Sequence, residues 1–371
     1  MLLPEKRAAG APRRALPKAL LCTVWLVTLT LPAGCLSNRV TEENRLAGLG
    51  KLEKLCIPTH LGVFGDVTTV TTYNDGIVFR QGLGAWAKAQ VELKGAHSVA
   101  RLKSGKWLIA DTENNRVIQL DDLSGKGALV ARSELAGFSL SRPHDEIIDP
   151  NTGEAYVIDG NRRLFRFSDL TGQIEVWTFT PEEMGYARAL SWFDGHLHVM
   201  NSSRGEVFRI DNYLEHRYTV FRSPRPRNIR ATPFSSYDDF IGGALDTTGL
   251  VLNDVEKSGD WYYATNFFAP TYAFGGDTRP ARLIRWRTWS EFERGDWEDL
   301  SRLLPEARIP LVPYFITVHK RMLYTAVFND DESCERDQVV RIALDAIGPD
   351  RGRPHALNSV APGLSLGSSA R

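Results

Sequence analysis

The chain is read most clearly from Ser98 to Asp121, where short apolar runs alternate with polar turns. Ser98–Leu102 leads in, Lys106-Trp107-Leu108-Ile109-Ala110 follows, and Arg116-Val117-Ile118-Gln119-Leu120 closes after the polar Asp111–Asn115. β-Branched and aromatic residues in runs of this length predict three strands of an antiparallel meander. The register Gly105–Asp111 is echoed at Gly153–Asp159, Gly195–Asn201, Gly259–Thr265 and Lys320–Ala326. Each echo is followed by a polar turn and a further strand: Leu164–Phe167, Glu206–Ile210, Arg282–Trp286 and Val339–Ile342. The markers stand 48, 42, 64 and 61 residues apart, a spacing that fits one repeated supersecondary unit with loops inserted in its later copies. A sixth unit is expected from Leu61 to Leu93, with strands at Val67–Tyr73, Gly76–Arg80 and Val91–Leu93.

Trp107 to Arg116, an apolar strand ending in Ala-Asp-Thr-x-Asn-Asn-Arg, resembles the NHL repeat. That resemblance implies an all-β fold, a six-bladed β-propeller of four-stranded antiparallel blades, here over residues 58–346. Closing the sheets into a ring protects their edges, so the repeats must be taken together. Trp107, Tyr156, Phe165, Trp192, Phe208, Trp261 and Trp286 are expected to pack between blades. Segments 211–249 and 266–281 read as long loops over one face, and 347–371, rich in Gly, Pro, Ser and Ala, as a disordered tail.

Ahead of the repeats, residues 1–34 read as an export signal: Lys6, Arg7, Arg13, Arg14 and Lys18 precede the apolar stretch Ala19–Pro32. Leu31-Pro32-Ala33-Gly34-Cys35 resembles a lipobox, so Cys35 is a candidate lipidation site; a plain cleaved signal and an uncleaved anchor are the alternatives. Residues 35–57 form a linker, and the mature chain is expected in the periplasm or cell envelope, or secreted. Removing the signal takes 45 basic and 45 acidic residues to 40 and 44, a balance without the positive excess that nucleic-acid binding leaves. Membrane contact is expected only through the lipid. Outside the signal region stand Cys56 and Cys334, at opposite ends of the repeats; they either join in a disulfide that closes the ring or remain two buried thiols.

Candidate chemistry gathers where the innermost strands begin, because side chains from several blades converge at a channel mouth. Counting back from each marker gives Ala96-His97-Ser98, Pro143-His144-Asp145-Glu146, Ala187-Arg188-Ala189, Leu252-Asn253-Asp254 and Pro313-Tyr314-Phe315. His97, Asp145, Arg188 and Asp254 are candidate ligand-binding residues beside His144, Glu146 and Asn253; the bland alternative for each is a side chain that ties down a loop. His196 and His198 alternate on a second strand, which favours blade packing over metal binding.

Leu252-Asn253-Asp254-Val255, followed by Trp261–Phe267, resembles the paraoxonase branch of the lactonase and gluconolactonase propellers. The resemblance implies a catalytic Ca²⁺ with Asn253 as ligand, and Ser141–Asp145 implies His144 as base, with Glu146 grouped as a second catalytic candidate. Calcium would polarise a lactone or ester carbonyl while the histidine activates water. In this sequence Arg188 and Phe315 stand at comparable strand starts, where neither ligates calcium, and His144 and Asn253 are two blades apart. The second function expected is a non-catalytic NHL-type propeller that presents its loops to an envelope protein or glycan without a metal. No Gly-x-Ser-x-Gly elbow, P-loop or His-Glu-x-x-His pair competes with these readings.

Overall fold

The computed structural model describes residues 55–224, 250–266, 282–305, 311–328, 334 and 336–348. Within them the chain forms a six-bladed β-propeller, each blade a contiguous antiparallel meander with its strands in sequence order from channel to rim. Blade 1 comprises Pro58–Phe64, Val67–Thr72, Gly76–Gln81 and Ala87–Lys88; blade 2 comprises Ala100–Arg101, Trp107–Asp111, Arg116–Leu120 and Leu129–Arg132. Blade 3 is Asp145–Ile148, Ala155–Ile158, Arg163–Phe167 and Ile174–Thr178, and blade 4 is Ala189–Phe193, His196–Asn201, Glu206–Asn212 and Arg217–Arg222. Blade 5 is Leu252–Ser258, Trp261–Asn266, Leu283–Trp286 and Glu298–Asp299. Blade 6 has three strands among the described residues, Val312–His319, Met322–Phe328 and Gln338–Ala343.

The repeated second and third strands fall where their spacing put them, and four details differ. Blade 1 begins at Pro58, ahead of the expected Leu61, and its rim strand is Ala87–Lys88 instead of residues 91–93. By then the chain has crossed to blade 2, where the Gln90 N–H donates to the Leu123 carbonyl at 2.8 Å. Residues 217–222, expected within a loop, are the rim strand of blade 4. A helix, Trp289–Arg294, interrupts blade 5; Thr288 and Glu291 form a capping box at its start and Phe292 is fully buried. The export signal, Cys35, residues 35–54, loop residues 225–249 and 267–281, the acidic residues 330–332 and 335, and tail residues 349–371 lie outside the described residues.

Each second strand is buried on both faces, since a blade is sandwiched between two others. In Trp107–Asp111 all five residues are buried: Leu108 packs with Phe165 of blade 3, and Ile109 turns the other way to Ile77 of blade 1. Tyr156 and Phe208 share a cluster between blades 3 and 4, and Trp286 packs between blades 4 and 5. A fully buried aliphatic side chain of this kind stabilises by about 1.5 to 3 kcal/mol relative to exposure.

The polar residue that ends the second strand has a repeated duty. Asp111 accepts from the Lys94 N–H at 2.6 Å, Asn201 from Gly185 at 3.0 Å and Asn266 from Val251 at 2.7 Å, each time fixing the lead into the inner strand. Asp111 also pairs with Arg116 at 2.6 Å, and Asp159 with Arg163, which ties the turn to the third strand. The turn then needs a left-handed residue, supplied by Asn115 at φ 51° and Gly205 at φ 62°. The Asp-Thr-x-Asn-Asn-Arg signature is thus explained by backbone satisfaction and turn geometry.

Ring closure joins blade 6 to the residues before blade 1. Cys56 and Cys334 form a disulfide across 278 residues of sequence, and the Ile57 N–H donates to Asp337 at 2.7 Å. The inner strands of blades 6 and 1 also meet through Thr317, which donates to the Leu61 carbonyl and contacts His60 Nε2 at 3.0 Å. Cys56→Ser with Cys334→Ser is expected to lower stability by about 3 to 5 kcal/mol, read as a lower melting temperature at fixed scan rate. An unchanged melting temperature would show that packing alone closes the ring.

Candidate functional site

The inner strands bring one residue from every blade to the same level at their start: Thr59, His97, His144, Arg188, Asn253 and Tyr314. All six are polar and all are buried, between 0% and 4% exposed. The rings of His97 and His144 stack with centroids 4.1 Å apart, and Tyr314 stacks on the other side of His97 at 5.4 Å. Arg188 donates to the Tyr314 hydroxyl and its guanidinium lies 5.1 Å from that ring. The Tyr314 hydroxyl in turn meets His97 Nδ1 at 3.3 Å. Asn253 donates through Nδ2 to the Pro313 carbonyl at 2.7 Å, while its Oδ1 has no partner.

His144 is held by two neighbours. Its ring hydrogen-bonds the main-chain carbonyl of Arg188, and Nδ1 is left without a partner. The segment before it is anchored to blade 2: Arg142 adopts φ 48°, a left-handed conformation costing about 1 to 3 kcal/mol in a non-glycine residue. Asn115 Oδ1 accepts from the Arg142 N–H at 2.8 Å, Glu113 pairs with its guanidinium at 2.7 Å, and Thr112 donates to the Pro143 carbonyl at 2.7 Å.

Burial, followed by the Arg188 and Arg142 charges, holds His97 well below the usual histidine range. His144 is likewise held well below it, by burial first, then by His97 and the two arginines. Both rings are therefore neutral near pH 7, and the bond to Arg188 leaves His144 Nδ1 as a lone-pair acceptor. Burial pushes the Tyr314 hydroxyl up to about 12, so it stays a donor.

Further along the inner strands a cavity of about 460 Å³ opens, lined among others by His60, Phe315, Asp145, Glu146, Asp254 and Glu256. The first three acids are already engaged. Asp145 accepts from Ser98 at 2.5 Å and from the Leu190 N–H of blade 4 at 2.7 Å. Glu146 accepts from the Ala110 N–H of blade 2 at 3.0 Å, and Asp254 from Ser191 at 2.8 Å and the Ile316 N–H of blade 6 at 2.9 Å. These carboxyls fasten neighbouring blades, a duty close to the bland alternative of the sequence reading. The structure brings His97, His144, Arg188 and Asn253 together and sets Asp145, Glu146 and Asp254 beneath them.

Two members of the layer, Thr59 and Tyr314, escaped the sequence reading, which had set Phe315 level with Arg188. Tyr314 occupies that level, and Phe315 lies one residue further in. Pro58, Pro143 and Pro313 each precede a layer residue, and aligning on those prolines would have found both. His198 packs against Phe193 with ring centroids 3.7 Å apart, in line with its expected packing role.

The calcium implied by the second resemblance was tested against these donors. Asn253 Oδ1 suits one coordination position, yet Ca²⁺ takes roughly six to eight oxygens. The layer holds no carboxylate and includes the Arg188 guanidinium, and the acids beneath it bond the blades. The donors do not fit a resident calcium ion.

The buried titratable groups give the fold an unusual pH dependence. Burial raises Asp145 from 3.8 to about 8 and Asp254 to about 6, so the folded state binds extra protons and stability falls as pH rises through those windows. Histidines act in the opposite sense: His60, lowered from 6.5 to about 4, removes stability as pH falls below 6.5. Between pH 6.5 and 8 these histidines no longer contribute a slope, so the melting temperature is expected to fall across that interval, and less steeply in Asp145→Asn. A flat melting temperature from pH 6.5 to 8 would contradict the protonated Asp145.

No protein-family model matches the sequence, and no curated protein matches it. Among solved structures the chain is similar to a catalytically inactive virginiamycin B lyase from Staphylococcus aureus with quinupristin, at 16% identity and a TM-score of 0.51, over 80% of this chain and 96% of that one. It is also similar to streptogramin B lyase (13% identity, TM-score 0.49, 81% and 86% covered). A third likeness is to the Swd1 β-propeller domain from Myceliophteria thermophila (11%, 0.42, 78% and 96%). At such identities the likeness is one of fold: the chain is a six-bladed β-propeller, with which the NHL and gluconolactonase type of repeat is compatible.

Proposed function

We propose that this propeller is an exported hydrolase of compact esters or lactones, working at the strand-start layer without a resident metal. The observation that carries the reading is His144: a buried, neutral imidazole fixed through one nitrogen, with Nδ1 unpartnered, in the same layer as the Arg188–Tyr314 pair. A buried polar atom without a partner costs about 1 to 3 kcal/mol, and such atoms collect where a ligand completes the bonding.

In this reading the substrate carbonyl oxygen lies toward Arg188, whose guanidinium donors favour the charge that develops on it. His144 Nδ1 takes a proton from water as the water oxygen bonds to the carbonyl carbon. The carbon–alkoxy oxygen bond then breaks, and the proton passes from Nδ1 to the leaving oxygen. His97 accepts from Tyr314 and orients that hydroxyl.

Export rests on residues 1–34, with Cys35 as lipid acceptor in the anchored form. The Cys56–Cys334 disulfide agrees with an oxidising compartment.

The test is a panel of esters and lactones assayed with the mature protein carrying Cys35→Ser. His144→Ala is expected to lower kcat/KM by about 10²- to 10⁴-fold. Because His144 lies well below 6.5, activity should hold steady down through pH 6.5 and fall only at more acidic pH. A midpoint at pH 6.5 would remove His144 as the base. Stoichiometric calcium lost in Asn253→Ala would replace this reading with a metal-dependent one. No turnover across the panel would leave the binding propeller, tested by capture of envelope proteins and glycans.

A further inference from the structure

We propose that Asn253 is the specificity determinant of the strand-start layer: its amide oxygen accepts a hydrogen bond from the substrate, so the site selects carbonyl compounds that carry an N–H or O–H donor of their own. The inference rests on the layer being the substrate site and adds to it which substrates are taken.

The argument begins with the orientation of the amide. Nδ2 donates to the Pro313 carbonyl at 2.7 Å, across the boundary between blades 5 and 6. A flipped amide would set Oδ1 against that carbonyl oxygen, two acceptors face to face, so the group is locked with its oxygen as the free end. Oδ1 has no partner although Asn253 is 0% exposed. A residue needed only to join blades 5 and 6 would require Nδ2 alone, and Asp254 already bonds the same pair of blades through the Ile316 N–H at 2.9 Å.

His144 Nδ1 repeats the pattern two blades away, an acceptor locked by the bond its ring makes to the Arg188 carbonyl. Between these two, on blade 4, the Arg188 guanidinium supplies donors. A bound molecule that satisfies the whole layer therefore presents an acceptor toward Arg188 and a donor toward Asn253. A site built around a hydrogen bond rejects the analogue that lacks it, because the buried partner is then left unsatisfied.

A matched pair of unreactive lactams tests this apart from catalysis. 2-Pyrrolidinone joins a carbonyl to an N–H, and N-methyl-2-pyrrolidinone lacks the donor. Each is titrated into the mature protein while the ring resonances of His97 and His144 are followed. The unmethylated lactam is expected to bind about tenfold tighter. Asn253→Leu should erase that preference while still binding the methylated lactam, and Asn253→Gln, which keeps both the amide donor and its acceptor, should retain it. Equal binding of both lactams by the unaltered protein overturns the proposal, as does binding of neither. Equal weakening of both in Asn253→Leu overturns it too, because a purely structural asparagine behaves that way. If Asn253→Leu does not fold, the unaltered protein and Asn253→Gln decide. Selective lactam binding without ester turnover defeats only the hydrolase reading and leaves donor recognition standing.

Discussion

Burial of every second strand on both of its faces is the constraint from which the rest of the structure follows. A blade such as that of Trp107–Asp111 has no solvent face at its centre, so Leu108 and Ile109 need partners on two different neighbours. Hydrophobic burial then cannot be satisfied blade by blade, and stability belongs to the closed ring. Polar groups inside the ring meet the same condition. They are bonded to an adjacent blade or they remain unsatisfied, since bulk water does not reach them.

That condition sorts the polar residues of the inner strands into two kinds. Asp145, Glu146 and Asp254 find backbone N–H groups and serine hydroxyls across the blade boundaries, and burial keeps their protons on well above the ordinary carboxylate range. One residue nearer the strand start, His144 and Asn253 each use one end of the side chain on the backbone and leave the other end open. The first kind explains cohesion. The second kind is the costlier, because an unsatisfied buried acceptor is stable only if the fold around it enforces its position.

Much of this ring was legible in the sequence, for definite reasons. The second strand and its turn repeat because Asp111, Asp159 and Asn201 perform one backbone duty at one register, so the spacing of blades 2 to 4 stood out, while in blade 5 Asn266 performs it one residue beyond the marker. Blade 1 was harder to see since Val67–Thr72 ends in threonines and lacks that closing residue. The helix at Trp289 was missed although Thr288 and Glu291 carry its capping signature, because its six residues are too few for a helical period to show. At the site, His97, His144, Arg188 and Asn253 were legible from their distance to the marker. Their partners were not. Whether a carboxylate such as Asp145 faces a ligand or the Leu190 amide depends on contacts between blades that one-dimensional spacing does not encode.

The anchoring of Arg142 by Asn115, Glu113 and Thr112 bears on how such a ring is inherited. The turn of blade 2 sets the backbone that delivers His144, so the placement of that histidine is written partly in the preceding repeat. Duplicating or exchanging blade 3 alone would carry the imidazole but not its placement. The heritable unit that places this imidazole therefore straddles a blade boundary, and recombination that respects whole blades would still cut through it.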